Sequence, residues 1–192
     1  MEELIIKAFE DSASVKLSFA GKNIKTIISV VDLIVEAFHE GNKVILFGNG
    51  GSAADAQHIA AEFVNRFMIE RPPLPALALT TDTSVITSIG NDYNYDQIFL
   101  KQIKALGKEG DIAWGISTSG NSPNVLKALK EARKMGLKTV GLTGKDGGKM
   151  VKLVDYLLNV ESDVTARVQE THITVSNVIC QLVDIKLFSH NS

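Results

Sequence analysis

His58 stands four residues before Glu62 in a stretch that reads as helix, so an imidazole and a carboxylate share one face. A second grouping, Gln169, Glu170 and His172, sits near the start of a long helical stretch toward the C-terminus. An imidazole and a carboxylate at such spacing can hold a divalent metal, or act as acid and base beside a bound phosphorylated ligand. A solvated helix face with an i,i+4 contact satisfies the same spacing, and the residues alone leave both readings open. His39, near a helix end, and His190, in the tail, read as structural or solvated. Cys180 is the sole cysteine and sits among Val178, Ile179, Leu182 and Val183, so it reads as a small buried hydrophobe and rules out an internal disulfide.

Two loops have the composition of anion cradles. Gly48-Asn49-Gly50-Gly51-Ser52 follows an apolar run, Lys43 to Phe47, and precedes a helical stretch, Ala53 to Arg66. Its glycines permit close backbone approach, Ser52 can cap the helix, and the helix N-terminus favours an anion. Ser117-Thr118-Ser119-Gly120-Asn121-Ser122 follows a second run, Asp111 to Ile116, and leads through Pro123 into a helix ending near Met135. Its hydroxyls and a turn-forming glycine offer donors without any arginine. Ordinary caps and turns would use the same residues. Gly48 to Ala53 also matches a loose dinucleotide fingerprint, but the acidic ribose partner is missing, because the next apolar run ends Leu79-Thr80-Thr81 and Asp82 comes too late. Asn91 and Asp92, after the run Asp82 to Gly90, read as polar turn residues able to meet a ligand's hydroxyls.

The elements that must carry these loops alternate. Short β-branched runs at 43–47, 75–79, 111–116, 138–142 and 155–160 are mostly separated by helical segments, and their apolar residues run through both faces. That pattern predicts an α/β fold of three layers, a parallel five-stranded sheet of flavodoxin-like form with helices on both sides. Residues 1–40 read as two helices broken near Gly21, and Thr165 to Phe188 as one long terminal helix with neither Gly nor Pro. The whole chain, 1–192, reads as a single domain with an α/β core at 43–160. The apolar surface of the two end segments is expected to need a partner, which points to an oligomer.

A net charge of −2 and a pI near 6.1 lack the basic excess that a nucleic-acid backbone requires, so no direct nucleic-acid partner is expected. The start Met1-Glu2-Glu3 is not a basic leader, and no stretch approaches a membrane span, so the expected location is the cytoplasm.

The two loops, with Asp55-Ala56-Gln57-His58, Glu62, Gly90-Asn91-Asp92, Thr143 to Gly148 and Ala166 to Glu170, resemble motifs of the sugar isomerase (SIS) family over nearly the whole chain. The resemblance is to its ketose-aldose isomerase branch. It implies conversion of sedoheptulose 7-phosphate to a glycero-manno-heptose 7-phosphate for the lipopolysaccharide inner core, by a homotetramer. It gives the phosphate to Ser117, Thr118, Ser119 and Ser122, and the sugar to Asn49, Gly50, Gly51, Ser52, Asn91, Asp92 and Gln169. Glu62 becomes the base of an enediol mechanism, and a zinc ion in some members is held at positions matching His58, Glu62 and Gln169. The family's second catalytic group and fourth zinc ligand is a histidine, and that position here is Asn177. Asparagine neither titrates near pH 7 nor ligates zinc as imidazole does. A relative within the family that binds the replication initiator carries the same asparagine, and resembles this chain near Leu187-Phe188. A phosphosugar-binding protein with the initiator as partner is therefore the alternative to the enzyme. Gln169 and Asn177 stand ~12 Å apart along a helix, so a site that uses both is expected to be shared between copies.

Overall fold

The computed structural model describes residues 1–188; His190 lies outside the described residues. Five strands follow the expected runs: β1 (Val44–Gly48), β2 (Ala76–Ala78), β3 (Ile112–Ser117), β4 (Lys138–Gly144) and β5 (Tyr156–Val160). All pair in parallel, in the order β2-β1-β3-β4-β5, the doubly wound arrangement with its switch point between β1 and β3. Helices α1 (Glu2–His39), α2 (Gly51–Val64) and α6 (Thr165–Phe188) cover one face, and α4 (Ile98–Leu106) and α5 (Pro123–Lys134) cover the other, with α3 (Thr83–Asp92) leading into α4.

Strand periodicity divides the core. Along β1, Val44 and Leu46 pack with Ile59 and Phe63 of α2 and with Ile179 of α6, while Ile45 and Phe47 pack with Phe99 of α4 and Leu129 of α5. Trp114 of β3, fully buried, fills the first of these layers. Both strand faces are covered, which is why the runs read as continuously apolar rather than alternating.

The N-terminal segment corrects one expectation. It is a single helix of 38 residues, not two helices broken near Gly21. A glycine inside a helix costs about 1 kcal/mol against alanine, and the neighbouring turns, whose Phe19, Ile27, Val30 and Val31 are buried in the core, carry the helix through it. The first half of α1 is less anchored: Leu4, Ile5, Ile6, Phe9 and Leu17 are exposed, and its ties to the body include the Arg167 guanidinium donating to the Ala8 carbonyl. The expected uncovered apolar surface is thus present. A second correction concerns Asn91 and Asp92, which close helix α3 rather than forming a turn, because Asp82 caps that helix through the Val85 N–H and the helix then runs through Asp92. No helix among the described residues is long and apolar enough to cross a membrane.

An added Cβ at Gly21 meets nothing within 4 Å, so Gly21→Ala is expected to stabilise the protein by about 1 kcal/mol and raise its melting temperature by about 2–4 °C. A melting curve that falls on this substitution would show that α1 needs the glycine's freedom.

Candidate active site

β1 ends on Gly48, whose register partner on β3 is Ile116, so the loops that follow these strands leave the sheet side by side. A Cβ at Gly48 would lie 2.8 Å from Ser52 Cβ and 2.9 Å from the Ile116 carbonyl. Only glycine lets α2 begin directly over the strand end. Gly50 (φ 55°) is the N-cap residue of α2, and no side chain caps it. Ser52 is therefore not the cap that the sequence suggested. The sharp turn at Gly50 starts the helix before it, places it in the first turn, buried, and uses its N–H on the Asn49 carbonyl at 3.0 Å. The Gln169 amide lies against Gly51, where any side chain would overlap it.

The second loop is held by its own polar groups. Ser117 Oγ and Ser122 Oγ are 2.9 Å apart, and Ser119 Oγ accepts from the Asn121 N–H at 3.2 Å. A hydroxyl pair has two hydrogens and spends one internally, and Ser119 here acts as acceptor. With Thr118, half-buried, the loop can still direct three O–H donors at an anion. Gly120 (φ 62°) sits where a Cβ would overlap the Gly147 carbonyl, so the loop also rests on the turn after β4.

The two loops are locked together. Asn49 Nδ2 donates to Asn124 Oδ1 at 2.9 Å and Asn124 Nδ2 donates to Asn49 Oδ1 at 2.8 Å, while the Tyr95 hydroxyl adds a third bond to Asn49 at 3.2 Å. Asn124 is 2% exposed. The sequence reading missed Asn124 and Tyr95. The available signal was an asparagine one helical turn before Ala128, on the otherwise apolar face Val125, Ala128, Leu129 and Ala132. Asn91 and Asp92 are exposed and bond one another at 2.9 Å rather than joining the loops within this chain.

The titratable groups lie elsewhere, along a seam between α2 and α6. His58 Nε2 is 3.4 Å from Glu62 Oε1 and 3.2 Å from Asn177 Oδ1. His58, Glu62 and Asn177 therefore meet within one chain. Gln169 does not join them, since it is two turns away at Gly51. Asp55, one turn before His58, has its carboxyl raised by burial, opposed by the charge of His58, and its Oδ2 is buried without a partner. Burial also pushes the Cys180 thiol up, with Glu62 and Asp184 adding to it, which fits an inert core residue. The grouping of His172 with Gln169 and Glu170 is not realised as an acid/base pair. His172 is fully buried, with Nε2 3.0 Å from the Thr143 carbonyl, and desolvation pushes its pKa down to about 4 against the effect of that bond. Glu170 pairs instead with Arg167 at 2.6 Å.

Zinc at the expected position would have one imidazole, one carboxylate and amide oxygens. Among the described residues no group of three His, Cys, Asp or Glu side chains could hold a metal ion. Asn177 Oδ1 stands 3.2 Å from His58 Nε2, where the family's second imidazole would be, and an amide is a poor zinc ligand beside imidazole. The residues present do not fit a resident zinc.

The model of the SIS domain matches residues 8–144. A phosphoheptose isomerase of Thermodesulfovibrio yellowstonii is 54% identical over 188 residues, 98% of this chain and 94% of its own length. The solved structure of phosphoheptose isomerase from Neisseria gonorrhoeae superposes with a TM-score of 0.90 at 42% identity, over 95% of this chain and 98% of that one. That of a phosphoheptose isomerase from Francisella tularensis gives 0.91 at 40%, over 95% and 97%. With a parallel sheet in the order 2-1-3-4-5, two interlocked loops at its switch point and relatives this similar over nearly their whole length, the chain belongs to the SIS-domain family of sugar isomerases.

Proposed function

We propose that this protein is a phosphoheptose isomerase, an aldose-ketose isomerase that converts sedoheptulose 7-phosphate to D-glycero-D-manno-heptose 7-phosphate. The observation that carries the reading is the reciprocal Asn49–Asn124 pair, which fuses two glycine- and hydroxyl-rich loops into one cradle beyond the sheet's carboxyl edge. The Ser117 to Ser122 hydroxyls suit the phosphate, and Asn49, Gly50 and Gly51 lie where the sugar would pass. The 54% identity to an isomerase over 188 residues favours this reading over an initiator-binding protein.

The reaction moves two protons and no net electrons, one between carbons and one between oxygens. Glu62 removes a proton from C1 of the ketose, the C1–H electrons form the C1–C2 double bond of the enediol, and the O2 carbonyl becomes a hydroxyl by taking a proton from water. The protonated Glu62 then returns its proton to C2, while the O1 hydroxyl gives its proton to water and becomes the new carbonyl. Asn177 contributes no proton; its amide fixes His58, which flanks Glu62. No step runs through a metal, because the donor set does not fit one.

The fold constrains where that base acts. Gly51 opens α2 and Glu62 lies in its last turn, eleven residues or ~16 Å along the axis, toward the sheet's other edge. A carboxylate set back from the cradle of its own chain favours a site in which the cradle and the base that serve one sugar molecule come from different copies of the chain. The exposed apolar half of α1 suits such an assembly, and the family resemblance takes it to a homotetramer. A reduced, buried Cys180 fits the cytoplasm, and the product fits the heptose supply for lipopolysaccharide.

Purified protein should form the aldose from sedoheptulose 7-phosphate, and Glu62→Gln should lower kcat by about 10³-fold; a folded wild type that yields no aldose would end the isomerase reading. Co-expressing Glu62→Gln with the cradle variant Ser119→Tyr, each inactive alone, should restore about a quarter of wild-type activity if one site of a mixed pair is intact. No recovery in verified mixed assemblies would place base and cradle in the same chain. Wild-type turnover should survive prolonged chelation, while Asn177→His, by supplying the missing imidazole, should bind zinc detectable by metal analysis. A wild type that loses activity on chelation and regains it with zinc would overturn the metal-free mechanism.

A further inference from the structure

Arg71 lies in the segment between α2 and β2, and its side chain is only 1% exposed. Every nitrogen of its guanidinium is engaged. Nη2 donates to the Glu62 carbonyl at 2.8 Å, and Nη1 donates to the Phe63 carbonyl at 2.7 Å and to those of Asn65 and Pro72 at 3.1 Å. Nε donates to Asp184 Oδ1 at 2.8 Å. The carbonyls of Glu62 and Phe63 belong to the last turn of α2, which has no intrahelical partners for them, and a cation there also complements the helix dipole.

Asp184 is the other end of the same device. On α6 the residues Asn177, Cys180 and Asp184 recur at helical spacing along one stripe, and the stripe faces α2. Asn177 meets His58, the charge of Glu62 is felt at Cys180, and Asp184 meets Arg71. One guanidinium therefore grips the backbone of Glu62 itself and ties it to the helix that carries Asn177. Lysine could supply the charge but not five directed N–H groups in a planar fork.

We propose that Arg71, with Asp184 as its anchor, is the positioning residue for Glu62: it fixes where the base carboxylate sits relative to His58 and Asn177, and so governs the proton-transfer step without touching the substrate. The inference rests on the isomerase reading, in which Glu62 is the base. A buried ion pair is weak evidence for stability as such and is better explained by what it specifies. An error of about 1 Å in a reacting group can cost about 10²-fold in rate.

The test is Arg71→Lys assayed beside the wild type, with melting temperature and circular dichroism recorded for both. The expected result is a folded protein whose kcat falls about 10- to 100-fold, while KM and the calorimetric affinity for inorganic phosphate stay within about threefold, because the cradle lies at the opposite end of α2. A folded Arg71→Lys with wild-type kcat, or one altered only in KM, overturns the proposal. Should Arg71→Lys fail to fold, Asp184→Asn decides: it keeps an oxygen for Nε–H but loses the charge, and kcat should fall about threefold or more at unchanged KM, whereas an unchanged kcat overturns the proposal. An inactive wild type would bring down the isomerase reading and this inference together, while an active wild type with an equally active Arg71→Lys would bring down this inference alone.

Discussion

The architecture of the site depends on the adjacency of β1 and β3. Chain reversal at the switch point sends α2 to one face of the sheet and α5 to the other, so the two loops part below while their tips stay side by side. The Asn49–Asn124 pair turns this adjacency into a fixed distance. Each amide serves as donor and acceptor to the other, and burial of Asn124 makes an unmade bond costly there. Glycines are then demanded wherever backbone must pass backbone or a side chain: Gly48 beneath Ser52, and Gly120 against the carbonyl of Gly147. In the proposed reading the cradle would hold a phosphate by directed neutral donors rather than by fixed cations, which suits a ligand that must leave after each turnover.

The direction of α2 sets the second constraint. A helix that starts at the carboxyl edge of a parallel sheet returns along it, so its first and last turns face different ends of the molecule. Gly51 and Gln169 are consequently neighbours at one end of the α2–α6 seam, and His58, Glu62 and Asn177 at the other. The same geometry that builds the cradle carries Glu62 away from it. For the proposed isomerase mechanism this favours a site completed by assembly, for which the exposed residues Leu4, Phe9 and Leu17 of α1 offer apolar surface.

Much of the fold was legible because its signals are local. Continuous apolar runs marked all five strands, and a stretch without Gly or Pro marked the long terminal helix α6. Failures came where tertiary packing outweighed local punctuation. Gly21 was read as a break, but a helix anchored on both sides by buried residues tolerates one glycine. Ser52 was read as a cap, but the positive φ of Gly50 starts the helix before it. Asn124 was invisible because its role depends on a partner 75 residues earlier in the chain. Arg71 carries no local signal, because its partner Asp184 lies 113 residues away. The residue types in the loops could be read, but the pairing across the sheet could not.

Asn177 shows how a substitution at a reactive position can be absorbed. An imidazole there would give His58 and Glu62 a third strong ligand and complete a metal site. The amide instead stands 3.2 Å from His58 Nε2, so the place of a ligand becomes an orienting polar contact. Glu62 keeps its position, because that depends on the Arg71 guanidinium holding its backbone and not on coordination. A site whose base is located by the protein frame can lose a ligand without losing its geometry. This reconciles an asparagine at that position with an otherwise complete isomerase sequence.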